Sequence, residues 1–311
     1  VLAALGAACV EGRAMALIDR LLAPDSAFQR NFYFLAKRFV PGEEIGQALE
    51  AVARLNAAGM TATLDFLGED VLDPASANAT RDAYLAMLDA VGSSGLQTNI
   101  SIKLTAMGLL IDEDFALANL RLVLERAAQN PDPFVRIDME GSSVTESTLR
   151  VVECAFATHP NVGPVLQAYL KRTPADVERT IELKERVRIC KGAYNESPDI
   201  AIKAMPEIRA QYLTLAKRLL LEGNYPGLAT HDLRLIGELE RFIAERAIPS
   251  ERYEFQLLYG CRPALQRDLV ARGHRVRIYV PFGTHWAGYF FRRVMERREN
   301  ALFAISSLFT K

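Results

Sequence analysis

Eight short apolar runs, each followed by a stretch of helical period, constrain this chain more than any other feature. The runs are TATLDFLG (61–68), QTNISIKL (97–104), FVRIDME (134–140), VGPVLQAY (162–169), RVRICKGAY (186–194), GLATHD (227–232), YEFQLLYG (253–260) and RVRIYVPFG (275–283). Between them lie segments such as RDAYLAMLDAVGSSG (81–95) and PEIRAQYLTLAKRLLLEG (206–223), whose apolar residues recur at helical spacing. Strand and helix alternating eight times predict an α/β protein, a (β/α)8 barrel of parallel strands joined by right-handed crossovers. The predicted organisation is an N-terminal helical arm over 1–60, a single barrel domain over 61–300 and a C-terminal tail over 301–311. Within the arm, EEIGQALEAVARLNAAG (43–59) reads as an amphipathic helix closed by Gly59. Residues 24–42, with the aromatic run Phe32-Tyr33-Phe34, read as a connecting or covering segment whose position the pattern does not give.

Several classes are disfavoured. A formal net charge of −1 gives no electrostatic pull toward nucleic acid. No apolar run reaches the roughly 18 residues of a membrane span. The start VLAALGAACV lacks a basic n-region, so a signal peptide is not expected. Cys9, Cys154, Cys190 and Cys261 stand far apart, as buried thiols of a reducing compartment would, and the expected location is cytoplasmic. The four histidines show no H-E-x-x-H spacing and no metal site is expected. There is no G-x-G-x-x-G, no Walker loop and no G-x-S-x-G elbow.

The polar residues carry the functional signal. Asp65, Lys103, Asp138, Gln167, Arg188, His231, Gln256 and Tyr279 all fall toward the C-terminal ends of their runs. A barrel interior is filled mostly by branched apolar side chains, and its active site lies at the C-terminal mouth. Eight polar residues at one end therefore predict a functional mouth. After the last run, Tyr289, Arg292, Arg293 and Glu296 sit at i, i+3, i+4 and i+7 on one helical face, with Ala287, Phe290, Phe291 and Val294 opposite. Adjacent arginines beside a tyrosine suit a small carboxylate, because the guanidinium fork matches it in bidentate geometry. Lys103, Arg188, Lys191, Arg292 and Arg293 outnumber what one small acid needs, against Asp65, Glu69, Asp138 and Glu296. A second, phosphorylated ligand would account for the excess, with Lys191-Gly192-Ala193 as a small-residue turn that lets backbone N–H groups approach phosphate. Thr230-His231 would add a donor pair. Lys103 also fits a Schiff-base lysine or an ion-pair partner.

Taken together, DFLGE (65–69), SIKLTAMG (101–108), RIDMEGS (136–142), VLQAYLKR (165–172), VRICKGAYNES (187–197), ATHD (229–232), EFQLLYG (254–260) and RIYVPFGTHWAGYFFRR (277–293) resemble the motifs of proline dehydrogenase, in order and over about residues 60–300. The likeness is to the monofunctional bacterial members. It implies an FAD-dependent, distorted barrel whose last helix lies over the mouth and presents arginines to the substrate. By this resemblance Arg292 and Arg293 bind the proline carboxylate, Lys103, Asp138 and Tyr279 surround the substrate, and Tyr289 and Leu258 pack on its ring. Met139, Gln167, Arg188, Lys191, Gly192, Ala193, Thr230, His231 and Glu296 fall to the cofactor, with Glu69 and Glu296 as acidic partners. Asp138, Arg188 and Lys103 are the implied catalytic residues. Asn195 departs from the pattern, since bifunctional members carry an aromatic residue there, and residues 1–60 match none of the motifs.

The implied reaction oxidises L-proline to 1-pyrroline-5-carboxylate by hydride transfer to flavin N5, the first step of proline catabolism, with electrons passed to a membrane quinone. Lys103 and Arg188 would keep the substrate amine neutral by like-charge repulsion. Lys103 and Asp138 end adjacent strands, so each is expected to pair with the other, or Asp138 with an arginine of the 292–293 pair. The apolar tail ALFAISSLF (301–309) would suit a peripheral contact with the inner membrane. An oligomer is left open. The alternatives are a barrel aldolase using Lys103 or Lys191 as Schiff base and a non-catalytic barrel that binds an anionic metabolite.

Overall fold

A computed structural model describes residues 33, 34, 36–68 and 70–295, with the backbone alone at 291, 292, 294 and 295. Glu69, Glu296, residues 1–32 and the tail over 301–311 lie outside the described residues, as does the side chain of Arg292. The eight predicted strands are all present: β1 Thr61–Phe66, β2 Thr98–Ile102, β3 Val135–Ile137, β4 Val162–Gln167, β5 Arg188–Cys190, β6 Gly227–Ala229, β7 Glu254–Leu258 and β8 Val276–Phe282. They form a closed parallel barrel in chain order, with Thr63 of β1 opposite both Asn99 of β2 and Tyr279 of β8. Each strand is shorter than its apolar run, because the run continues into the loop at the mouth.

The helices among the described residues are α1 Ile45–Ala57, α2 Pro74–Ser94, α3 Glu113–Ala127, α4 Ser142–Phe156, α5 Thr173–Leu183, α6 Met205–Glu222, α7 Leu233–Glu245, α8 Pro263–Ala271 and α9 Trp286–Met295. Local chemistry sets their ends. Asp73 caps α2 by accepting from the Ser76 N–H at 2.9 Å, with Pro74 in the first turn, so the helix starts seven residues before its apolar periodicity becomes clear at Arg81. Helix α1 stops at Ala57, and Gly59 follows at φ +76°.

Strand alternation places the core outside the barrel. Ala62, Leu64, Ile100, Ile102, Val135, Ile137, Leu166, Ile189, Leu228, Phe255, Leu257, Val276, Ile278 and Val280 point outward and join the apolar faces of the helices in one cluster. The inward positions are polar instead: Thr63, Asp65, Asn99, Ser101, Lys103, Arg136, Gln167, Arg188, Glu254, Gln256 and Arg277 are all buried. The expectation of an interior filled by branched apolar residues is corrected here.

Helix α1 packs on β1 and β8 and takes the outer position that a helix following β8 would otherwise fill. Helix α9 joins a second apolar cluster, in which Trp286, Ala287, Tyr289 and Phe290 pack with Leu67 after β1 and with Ala36, Phe39 and Val40 of the arm. Leu258 and Tyr279, near the ends of β7 and β8, lean on the same cluster. The described part of the arm is thus placed: the Tyr33 ring lies 5.4 Å from that of Trp286 at a tilt of 59°, and the Trp286 indole N–H donates to Glu43 at 3.1 Å. Trp286, Ala287, Tyr289, Phe290 and Arg293 of α9 are all buried.

Glu185, before β5, is buried, and its Oε1 has no hydrogen-bond partner. Burial and the nearby Glu153 push its carboxyl up to about 7. A carboxyl raised in the folded state stabilises fully below its unfolded pKa and loses that contribution as pH rises through the folded value. Glu185→Gln is therefore expected to stabilise the protein by roughly 1–3 kcal/mol at pH 8 and by little at pH 4.5. Thermal melts of the variant and the wild type at both pH values check this.

Candidate active site

Two largely buried ion pairs stand at the C-terminal ends of β1, β2 and β3, with Arg188, the first residue of β5, as one member. Lys103, just past β2, donates to Asp65 of β1 at 3.0 Å. Arg188 of β5 donates through Nη1 to Oδ1 of Asp138 at 2.6 Å, and the Tyr279 hydroxyl of β8 donates to Oδ2 of the same carboxylate at 2.7 Å. The expected pairing of Lys103 with Asp138 is corrected: each takes a different partner. Lys103 has an acidic residue at the end of each neighbouring strand, and it closes on Asp65 while Arg188 and Tyr279 hold Asp138 from across the barrel.

Burial opposes the charge on Lys103, but Asp65 and then Asp138 outweigh it and hold the ammonium above its usual range. A Schiff-base lysine must shed its proton to attack, so this environment disfavours the aldolase reading at Lys103. Burial and the carboxylates of Asp138 and Asp65 push the Tyr279 phenol well up, so it stays a hydrogen-bond donor. Because Lys103 and Arg188 each face a carboxylate, their repulsion of a substrate cation is largely offset. Lys191 has Asp232 as a neighbour at 3.5 Å, and Asp232 also accepts from Arg209 at 2.7 Å. The surplus of cations that suggested a second anion is therefore compensated within the chain at Lys103, Arg188 and Lys191.

The remaining residues gather around the ends of β4 to β7. Gln167 of β4 donates to the Glu140 carbonyl at 2.9 Å and accepts from the Ala193 N–H at 3.3 Å, tying the loops after β3 and β5 together. Gly192 has φ +118°, and a Cβ there would stand 2.1 Å from the Tyr169 ring, so only glycine lets the Lys191-Gly192-Ala193 turn lie flat on that ring. The Thr230 hydroxyl oxygen accepts from the Asp232 N–H at 3.1 Å, which leaves its own proton to donate. His231 Nε2 accepts from the Leu258 N–H at 3.0 Å, so that nitrogen carries no proton. Met139 is buried beside Asp138. On α9, Tyr289 and Arg293 are both buried, and the guanidinium lies 5.1 Å from the ring centroid. Tyr289 and Leu258, the two expected ring-packing residues, share one cluster with Tyr279, expected beside the substrate.

Glu254, Arg277 and Arg136 form the lower interior and were not singled out from sequence. Their signal was present as strict alternation, in Arg136-Ile137-Asp138, Glu254-Phe255-Gln256 and Arg275-Val276-Arg277, where a strand with two apolar faces would read as a continuous apolar run. A cavity of about 570 Å3 opens at the opposite end of the barrel, lined by Asp132, Arg186, Tyr225, Glu254, Arg275 and Arg277 among others. There Arg277 pairs with Glu254 and Asp132, and Arg186 lies over the rings of Phe134 and Tyr225; that end of the fold serves stability. Of the cysteines, Cys261 is buried and Cys190 half-buried, but Cys154 is exposed on α4, against the expectation of buried thiols. Burial pushes the Cys190 thiol up to about 11, which leaves it unreactive near neutral pH.

Residues 48–305 match the family described as proline dehydrogenase. The chain belongs to that family. Proline oxidation, the first step of proline catabolism, is its reaction. It is 40% identical over 276 residues to proline dehydrogenase 1 of Bacillus subtilis, covering 89% of this chain and 91% of the relative. It is 36% identical over 286 residues to the proline dehydrogenase of Deinococcus radiodurans, covering 90% and 92%. Among solved structures it is similar to proline utilization A of Bdellovibrio bacteriovorus inactivated by N-propargylglycine, with a TM-score of 0.79 and 26% identity. That likeness covers 87% of this chain and 33% of the longer protein.

The Lys103–Asp65 pair gives a stability prediction for this proline dehydrogenase. Lys103→Met strands a buried carboxylate and is expected to cost roughly 3–5 kcal/mol, whereas adding Asp65→Asn should restore most of the loss. Urea unfolding of the two single variants and the double variant measures it.

Proposed function

We propose that the enzyme oxidises L-proline to 1-pyrroline-5-carboxylate with FAD as its cofactor, and that a membrane quinone is the final acceptor. The observation that carries this reading is the buried face of α9, where Tyr289, with Arg293 over its ring, joins the cluster of Leu258 and Tyr279, and Tyr279 in turn donates to the Asp138 of the Arg188–Asp138 pair. The residues present fit a flavin. Arg188 uses Nε and Nη1 within the chain, while Nη2 makes no hydrogen bond among the described residues and suits an acceptor or a developing negative charge. Thr230 has a hydroxyl proton to give, and the flat Lys191-Gly192-Ala193 turn exposes backbone for a phosphate. Met139, Gln167, Arg188, Lys191, Gly192, Ala193, Thr230, His231 and Glu296 are the residues that would hold it. Bound FAD supplies the redox chemistry by accepting the electron pair and hydrogen lost from the ring carbon next to the amine.

The chain's share is positioning and electrostatics. Arg292 and Arg293 take the substrate carboxylate in bidentate fashion. Tyr289, Leu258 and Tyr279 form the apolar wall for the pyrrolidine ring. Asp138, fixed by Arg188 and Tyr279, and Lys103, fixed by Asp65, frame the amine, which must lose its proton before the carbon–nitrogen double bond forms. The arm and α9 exclude water from this space. A quinone acceptor fits a cytoplasmic enzyme that works at the membrane face, and no helix among the described residues is long and apolar enough to cross a membrane.

The purified protein should be yellow, and its flavin bands should bleach when L-proline is added without oxygen and return on addition of a short-chain quinone. A colourless protein that neither binds added FAD nor responds to proline would exclude the reading. Arg292→Lys and Arg293→Lys lose the flat fork and should each raise the KM for proline about thirtyfold or more, as the roughly 2–5 kcal/mol expected for a desolvated charge pair implies. A wild-type KM in both would remove the carboxylate role.

A further inference from the structure

The interior charges form one continuous chain from the floor of the barrel to the mouth. At the floor, Arg277 donates through Nε to both Glu254 oxygens, at 2.8 and 3.0 Å, and is anchored by the Ala62 carbonyl at 2.7 Å and by Asp132 at 3.1 Å. Glu254 Oε1 accepts from Gln256 Nε2 at 2.5 Å. Gln256 Oε1 accepts from Arg188 Nε, and Arg188 Nη1 reaches Asp138 at 2.6 Å. Arg277, Glu254, Gln256 and Arg188 are buried, Asp138 is nearly so, and Asp132 at the floor is half-buried.

The polarity of this chain is fixed at its lower end. Arg277 is always charged, and it holds the Glu254 carboxyl below the usual carboxylate range despite burial. An ionised Glu254 only accepts, so the Gln256 amide must turn its NH2 toward it and its oxygen toward Arg188. A flipped amide would set oxygen against carboxylate and N–H against N–H, leaving both ends unsatisfied in a dry interior. Glu254 lines the cavity at the opposite end of the barrel, and Gln256, expected at the mouth, spends its amide on Glu254 and Arg188. A second feature bears on the same group. Gly227 of β6 faces the amide, and a Cβ there would lie 2.5 Å from Gln256 Nε2 and 2.8 Å from its Cδ. The missing side chain is the space in which Gln256 lies.

We propose that Glu254 and Gln256 are positioning residues for proline oxidation, acting through Arg188 on the geometry of the mouth, and that Gly227 serves them by leaving room for the amide. The inference rests on the reading of Arg188 and Asp138 as the flavin and substrate end of the site.

The test is a set of variant cycles on the FAD-loaded enzyme at matched flavin occupancy, reading kcat/KM for proline and the midpoint potential of the bound flavin. Gln256→Leu removes the acceptor for Arg188, and Gly227→Ala displaces the amide without deleting any polar group. Each should lower kcat/KM about tenfold or more and lower the potential. The double variant should lose no more than the worse single one. In an Arg188→Met background Gln256→Leu should change neither quantity by more than about twofold in rate or its equivalent in potential, because no arginine remains to be oriented. Gln256→Glu adds a readout that packing alone would not move. Its protonated form copies the amide, donating to Glu254 and accepting from Arg188, so its kcat/KM relative to wild type should fall as pH rises. Equal losses from Gln256→Leu with and without Arg188, or a pH-independent ratio for Gln256→Glu, would overturn the inference. Wild-type enzyme that fails to bleach with proline would instead overturn the functional reading and this inference with it.

Discussion

Charge compensation inside a closed barrel is the constraint on which this structure depends. Arg277, Glu254, Arg188, Asp138, Lys103 and Asp65 occupy inward positions with little water to screen them, so each ion must be met by another or by a directed hydrogen bond. The signs alternate along the interior, with Gln256 as the neutral link between Glu254 and Arg188. Such pairs contribute little net stability compared with apolar packing of the same volume. What they give is a fixed orientation for groups at the mouth. The hydrophobic stabilisation comes from elsewhere, from the shell between the outer faces of the strands and the helices.

The same division explains the placement of the last helix. With α1 packed on β1 and β8, the usual outer position beside β8 is filled, and α9 closes across the strand ends against Leu67, Leu258 and the arm. Its tyrosine and arginine are then buried where an outer helix would have left them solvated. The arm and α9 form an apolar unit of their own, separate from the main cluster and held in part by the Trp286–Glu43 hydrogen bond. A site that must exclude water while admitting a small amino acid is served by a cover that is packed but distinct from the barrel core.

Much of the fold was legible in sequence because its signals are local and periodic. Eight strands and their order follow from apolar runs and intervening helical repeats, and the mouth follows from where Asp65, Lys103, Asp138, Gln167 and Tyr279 fall in those runs. The strand ends were less legible, since Lys191-Gly192-Ala193 and His231 continue the pattern of the run while belonging to loops. The polar interior could have been read from the alternation in β3, β7 and β8, yet a barrel interior is so often apolar that alternating arginines resemble a solvated face.

The sequence by itself determined the class of fold, the family, and which residue types converge at one end of the barrel, because periodicity and strand polarity are written along the chain. Tertiary structure alone decided who pairs with whom. Lys103 meets Asp65 and not Asp138, and Asp138 meets Arg188 and Tyr279 across the barrel, because register and closure bring together strands that lie far apart in sequence. The position of the arm was likewise decided in three dimensions, since an amphipathic helix specifies that it needs an apolar partner but not which one. Gly227 shows the limit most plainly: a glycine in a short strand reads as a weakness, and only the side chain lying across it, Gln256, reveals what its missing Cβ leaves room for.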